Sequence, residues 1–213
     1  MIRALFGGSF DPIHAGHLAL VRRLLEDGLA DGVVVVPAGR HPLRPEAAAP
    51  GADRAAMARL AFAGWPRVRV DDREVARARD GEPTYTVDTL AELQAEEPQA
   101  RWRLVVGADN LPDLPRWRDL PRLLELATLV VVAREGWDGV LPPQVTAAAD
   151  AAGSESAPVV LSVGDFRHPA SATEIRRRLA AGDPPGPHLP AAVAAYIGER
   201  GLYRAAAGGG GDT

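Results

Sequence analysis

The chain has 213 residues, 46% of them hydrophobic and 5% aromatic, enough apolar material for an α/β core built mainly from Ala, Val and Leu. Its net charge of −4 argues against binding of nucleic-acid polymers, which favours a basic face. No apolar run approaches the roughly 20 residues that cross a bilayer, no signal-peptide pattern opens the chain and no cysteine is present, so a cytoplasmic protein with no membrane role is expected.

Residues 2–6 form an apolar strand candidate. The stretch Gly7-Gly8-Ser9-Phe10-Asp11-Pro12-Ile13-His14-Ala15-Gly16-His17 follows and runs into an amphipathic helix starting near Gly16, with Leu18, Val21, Leu24, Leu25 and Leu29 at helical spacing. Residues 33–36 are a continuous β-branched run, as in a strand buried on both faces. Residues 37–51 read as a surface loop, 53–63 as a helix and 68–70 as a short strand. The charged stretch 73–83 reads as a loop that covers something. A helix over 86–97 turns Val87, Leu90 and Leu93 inward, and a strand over 103–106 ends in Gly107-Ala108-Asp109. Next come a helix over 113–126 with Trp117 near its start, a strand over 128–133, a helix and loop over 141–156 and a strand over 159–163. Helices over 171–181 and 190–200 follow, the second with Pro190 at a favourable first-turn position. Residues 205–213 are a Gly/Ala tail expected to be disordered, which leaves 1–204 as a single domain.

Strands alternating with helices imply an α/β, Rossmann-like doubly wound parallel sheet with helices on both faces. Ligands of such sheets bind beyond the carboxyl ends of the strands. The 7–17 turn, the loop after Val36, the Gly107-Ala108-Asp109 turn and the segment after Val163 all fall there, so four segments converge on one rim.

Gly7, Gly8, Ser9 and Phe10 form a glycine turn between strand and helix, either a tight structural turn or a cradle of backbone N–H groups for phosphate. His14 and His17, at the mouth of the helix, add donors aimed at the same place and favour the phosphate reading. A metal site is the weaker reading, for no carboxylate or third histidine has matching spacing. Neither imidazole needs to act as a base, because an attacking phosphate oxygen is already ionised at pH 7. Catalysis is then positioning plus electrostatics. Ser171-Ala172-Thr173-Glu174-Ile175-Arg176 is either an ordinary capped helix with a solvated arginine face or a second helix N-terminus facing the same phosphates, with Arg176 as a charge clamp. Asp109 either caps a turn or accepts hydrogen bonds from an adenosine group. Trp117 is a core residue or a stacking surface, and Thr84-Tyr85-Thr86 by itself reads as a helix cap.

These segments resemble a known family. Residues 7–18, with His14-Ala15-Gly16-His17, resemble the first signature of the His-x-Gly-His nucleotidyltransferase superfamily, and 171–176 resemble its second. Pro83-Thr84-Tyr85-Thr86-Val87-Asp88-Thr89-Leu90, Val106-Gly107-Ala108-Asp109, Leu114-Pro115-Arg116-Trp117 and the ending through Gly201-Leu202-Tyr203 are similar to bacterial nicotinate-nucleotide adenylyltransferases. The resemblance implies AMP transfer from ATP to nicotinate mononucleotide, giving deamido-NAD and pyrophosphate. It implies His14 and His17 as catalytic residues. Gly7, Gly8, Ser9, Phe10, Ser171, Thr173 and Arg176 would hold the ATP phosphates, Gly107 and Asp109 its adenosine, and Tyr85, Thr86 and Trp117 the mononucleotide. Magnesium (Mg2+) would travel with ATP, held by its oxygens and by water rather than by a protein metal site. A homo-oligomer is left open. Where the family has a Pro-His-Lys-like segment this chain has Pro42-Leu43-Arg44; all 24 basic residues are arginine, so Arg44 stands as the expected ATP-binding cation, whereas Leu43 is a departure. Ala170 is a milder one, at a position that tends to be β-branched. The alternatives are a related transferase with a different phosphorylated acceptor and a nucleotide-binding regulator without catalysis.

Overall fold

The computed structural model describes residues 1–40, 43, 46–78, 81–133, 137, 139–153, 159–161 and 169–204. Strand β1 (Ile2–Gly8) lies in the middle of the sheet, and helix α1 (Ala15–Glu26) returns the chain to β2 (Gly32–Pro37). Helix α2 (Gly51–Ala61) leads to β3 (Val68–Val70) at one edge. Helices α3 (Arg73–Arg77) and α4 (Thr86–Glu96) carry the chain to β4 (Arg101–Gly107), on the other side of β1. A 3-10 segment (Ala108–Arg116), α5 (Leu120–Leu126), β5 (Ala127–Val132), α6 (Pro143–Ala152) and β6 (Val159–Leu161) build outwards, and α7 (Ala172–Ala180) and α8 (Ala191–Arg200) close the described chain. The strands are all parallel, in the order β3-β2-β1-β4-β5-β6. This is the doubly wound order, whose winding reverses between β1 and β4 and opens a crevice at their carboxyl ends.

Period-two alternation assigns the strand side chains to two cores. Ala4, Phe6, Val33, Val35, Val105 and Val130 join Val21 and Leu24 of α1 and Val193 and Ile197 of α8 on one face. Leu5, Val34, Val36, Leu104, Val106 and Leu129 join Leu90 and Leu93 of α4 and Leu123 of α5 on the other. Burial on both faces explains why residues 33–36 read as an unbroken apolar run, and each is at most 1% exposed. No helix among the described residues is long and apolar enough to cross a membrane.

Several expected boundaries move, each for a physical reason. Gly7 and Gly8 pair with Val36 and Pro37, so they end β1 instead of forming the turn, which begins at Ser9. Residues 73–83 are not wholly a loop: Arg73–Arg77 form α3, whose apolar signal is hidden because a carboxylate, Glu74, is its buried anchor. The expected helix over 113–126 is in two parts. Pro112 and Pro115, which cannot donate to an α-helical ladder, lie in the 3-10 segment; Trp117 sits at the junction, and α5 begins only at Leu120, capped by Asp119. Pro190 is the N-cap of α8 rather than a first-turn residue. Residues 162–163 of the last expected strand and the expected tail, 205–213, lie outside the described residues.

Candidate active site

The crevice between the β1 and β4 ends is the mouth of a cleft of about 2630 Å3. Small-molecule pockets usually span about 300–1,000 Å3, so this one has room for more than one nucleotide-sized ligand. Ser9 and Phe10 leave β1 there, and Phe10 adopts φ +48°, which turns its ring back into the core at 2% exposure. Gly8 makes room for that turn: a Cβ on Gly8 would lie 3.1 Å from the Phe10 ring. Phe10 therefore offers the cleft main chain and little side chain. Its ring packs edge-on against Phe6 and His17, with centroids 5.2 and 5.1 Å apart.

His14 and His17 stand on this aromatic base. His14 is the N-cap of α1 and His17 lies in its first turn. Their rings stack with centroids 3.8 Å apart and planes 22° from parallel. The His14 backbone N–H donates to His17 Nδ1 at 3.1 Å. An Nδ1 that accepts carries no proton, so His17 is neutral with its N–H on Nε2, a donor fixed in direction. The backbone N–H of Ala15 is taken by the His188 carbonyl at 2.8 Å, which ties the start of α1 to the loop before α8.

Arg176 reaches the same cleft from α7. Its Nη1 donates to the Asp11 carbonyl at 2.6 Å and its Nη2 to Thr173 Oγ1 at 3.4 Å. The neighbouring arginines behave differently: Arg177 pairs with Glu174 on the surface and Arg178 donates to the Pro184 carbonyl. Ser171 caps α7 by a long bond from the Glu174 N–H, 3.5 Å, so the ordinary cap and the cleft-facing clamp coexist on one helix.

The wall opposite is made by the start of α4 and by the β4 end. Tyr85 is the N-cap of α4 without a side-chain cap bond, and Thr86 is its first residue. Thr84 is buried and does not cap α4: its hydroxyl donates to Glu74 Oε2 at 3.0 Å, while Thr89 donates to Oε1 at 2.9 Å and the Gly39 N–H to Oε2 at 3.4 Å. Burial pushes the Glu74 carboxyl above its ordinary range, against the lowering pull of these donors. Trp117 is half-buried against the second core, and the Arg118 guanidinium lies 4.7 Å from the Tyr85 ring centroid. Gly107 ends β4 with the Asp109 carboxylate folded so closely over it that a side chain would collide.

Gly7, Gly8, Ser9, Phe10, His14 and His17 thus share one cleft with Ser171, Thr173 and Arg176. Tyr85, Thr86, Gly107, Asp109 and Trp117 line it too, as do the departures Leu43 and Ala170. Arg44 lies outside the described residues. The sequence reading passed over Asp11, Arg54 and Glu74, all buried beneath or beside the cleft. Arg54 carried a signal: it shares a helical face with Met57, Ala58 and Ala61, all at 8% exposure or less, an apolar face on which a lone arginine needs buried acceptors. Those are the Ser9 and Ala49 carbonyls, at 2.7 and 3.1 Å.

With this geometry in place, the likenesses to other proteins are informative. The cytidylyltransferase-like family profile matches residues 5–178. The chain is 44% identical over 208 residues to the probable nicotinate-nucleotide adenylyltransferase of Laribacter hongkongensis, covering 94% of this chain and 93% of that one. It is 40% identical over 210 residues to that of Cellvibrio japonicus, covering 94% and 97%. Among solved structures, nicotinic acid mononucleotide adenylyltransferase of Plasmodium falciparum, in complex with NaAD, shares the fold with a TM-score of 0.68 at 18% identity, over 94% of this chain and 96% of that one. By descent as well as by fold, the chain is a cytidylyltransferase-like nucleotidyltransferase and belongs to the nicotinate-nucleotide adenylyltransferase family.

Proposed function

We propose that this protein transfers AMP from ATP to nicotinate mononucleotide, releasing pyrophosphate and forming deamido-NAD. The observation that carries the reading is the meeting of His14, His17 and Arg176 with Tyr85 and Trp117 in one cleft at the β1/β4 switch point. The first three are hydrogen-bond donors suited to a polyphosphate, and the last two are aromatic surfaces suited to a pyridine ring.

In this reaction a 5′-phosphate oxygen of the mononucleotide attacks the α-phosphorus of ATP in line. The new O–P bond forms as the bond to the β-phosphate oxygen breaks, and its electron pair leaves on pyrophosphate. No covalent intermediate with the protein is formed and no base is required, since the attacking phosphate is already ionised. His17 donates through Nε2 to the charge that grows on the departing oxygens, beside His14, and Arg176 clamps the same chain with Ser171 and Thr173. Gly107 and Asp109 hold the adenosine, the main chain at Gly7, Gly8, Ser9 and Phe10 skirts the phosphates, and Tyr85, Thr86 and Trp117 hold the nicotinate. Arg44 serves as a further cation for ATP. Magnesium enters as part of the substrate on the triphosphate; among the described residues no group of three or more His, Cys, Asp or Glu is arranged to hold a metal. The protein works in the cytoplasm as one domain over 1–204.

The test is pyrophosphate release from MgATP against a panel of nicotinate and nicotinamide mononucleotides and other phosphorylated acceptors. Release is expected to be fastest with nicotinate mononucleotide. Release with a different acceptor alone reassigns the substrate, and ATP binding without release for any acceptor refutes the transfer.

A further inference from the structure

Beneath the phosphate side of the cleft, one buried carboxylate joins parts of the chain far apart in sequence. Asp11 is 5% exposed. Its Oδ2 accepts the Ala48 N–H at 2.7 Å, and its Oδ1 accepts the Ala49 N–H at 3.1 Å and the Tyr203 hydroxyl at 2.7 Å. Its main-chain carbonyl accepts from Arg176, whose Nη1 also lies 4.0 Å from Oδ2. On the other side of Phe10, the Ser9 carbonyl is held by buried Arg54.

These bonds bracket a strained residue. Phe10 at φ +48° occupies the left-handed region, which is strained for a non-glycine residue and persists only where the surroundings over-determine it. The Tyr203 contribution comes from 192 residues away. Its delivery is built into the fold. Helix α8 is latched to α2 by Tyr196 and Arg200, which donate to Asp53 Oδ1 at 2.7 and 3.2 Å. Gly201, at φ +61°, then ends α8 with the Leu202 N–H bonded to the Ile197 carbonyl, and the chain turns Tyr203 back onto Asp11. Burial first, then the hydrogen bond and charge of Asp11, hold the Tyr203 hydroxyl protonated at any working pH, so it is a constant donor.

We propose that Tyr203 is a positioning residue for nucleotidyl transfer: through Asp11 it fixes the turn over residues 9–14 and the Arg176 guanidinium, so that the imidazole pair and the guanidinium meet one phosphate chain. The proposal rests on the reading of this cleft as an ATP site. Tyr203 needs no contact with substrate to act in this way.

The variant Y203F removes one oxygen and keeps the ring. Its kcat is expected to fall about 10- to 150-fold, the effect of losing a hydrogen bond to a charged group. The KM for the mononucleotide should stay within twofold, because Tyr85 and Trp117 are anchored on the opposite wall. MgATP binding, followed calorimetrically without acceptor, should weaken several-fold. In an R176A background Y203F should cost at least threefold less in kcat than it does in wild type, because one of the two groups it positions is gone. Fully folded Y203F with wild-type kcat and ATP affinity overturns the proposal. So does a loss that tracks only the folded fraction, or one that multiplies independently with R176A. The binding arm separates the two ideas: wild-type protein that binds MgATP but turns over no acceptor sinks the transferase reading alone, with Y203F still judged on affinity. Wild-type protein that binds no MgATP sinks both.

Discussion

Replacing His17 by asparagine and by alanine separates two jobs that one ring performs. Nδ1 of His17 accepts the His14 backbone N–H at 3.1 Å and so helps cap α1, whereas Nε2 carries the proton offered to the cleft. Asparagine places an oxygen at the δ position and nothing at the ε position. The Asn variant therefore keeps the cap acceptor and loses the donor. Removal of one oriented donor to a developing oxyanion costs about 10²- to 10³-fold in kcat, or roughly 2.7–4 kcal/mol of barrier. Loss of a cap acceptor costs about 1 kcal/mol of stability. Both variants are expected to lose at least 100-fold in pyrophosphate release at saturating ATP and mononucleotide. Urea unfolding should then show H17A about 1 kcal/mol less stable than H17N, with H17N within about 0.5 kcal/mol of wild type. Near-normal turnover of H17N would refute the role given to Nε2. Equal destabilisation of the two variants would refute the account of Nδ1.

Trp117→Ala should raise the KM for the mononucleotide about 5- to 150-fold, the order of about 1–3 kcal/mol for an aromatic–base stack, with kcat changed less than fivefold; an unchanged KM removes Trp117 from the pocket. Gly107→Ala puts a methyl group against the Asp109 carboxylate, so the KM for ATP should rise several-fold while that for the mononucleotide holds, and steady-state kinetics with each substrate varied decides it. Glu74 has a folded-state pKa above its ordinary value, so the folded protein binds that proton more tightly than the unfolded chain does. Wild type should accordingly lose stability as pH rises from about 4.5 through the folded pKa, and Glu74→Gln should remove that part of the slope; a stability difference between the two proteins that is constant with pH contradicts the assignment.

The sheet was legible because its central strands are buried on both faces and so appear as unbroken runs such as Val33 to Val36, while the helices show apolar spacing. The site was legible where its chemistry is local: His14 and His17 are three residues apart, and Ser171 to Arg176 is one helix start. The supporting shell was not. Asp11 finds its partners 37, 38 and 192 residues away, and Glu74 gathers Thr84 and Thr89 from 10 and 15 residues on and Gly39 from 35 residues back, so no short window of sequence shows either cluster. The 3-10 segment was missed for another reason. Leu111 and Leu114 are buried like helix residues, and periodicity reports burial, whereas Pro112 and Pro115 decide which hydrogen bonds exist.

The central place of β1 has a consequence for the order in which the molecule is made. Its partner on one side, β2, starts at residue 32, but β4, its partner on the other, does not start until residue 101. A growing chain emerging from the ribosome can dock the first pair early, while the second edge of β1 stays unsatisfied through some seventy further residues of synthesis. The seam that β4 eventually closes is the one that holds the ligand crevice, and α7 is later still. The two histidines are thus built long before Arg176 of α7, and wait for it in a half-formed sheet. The cleft is therefore incomplete until α7 has been decoded, and the unpaired edge of β1 that waits longest is the one that comes to line it.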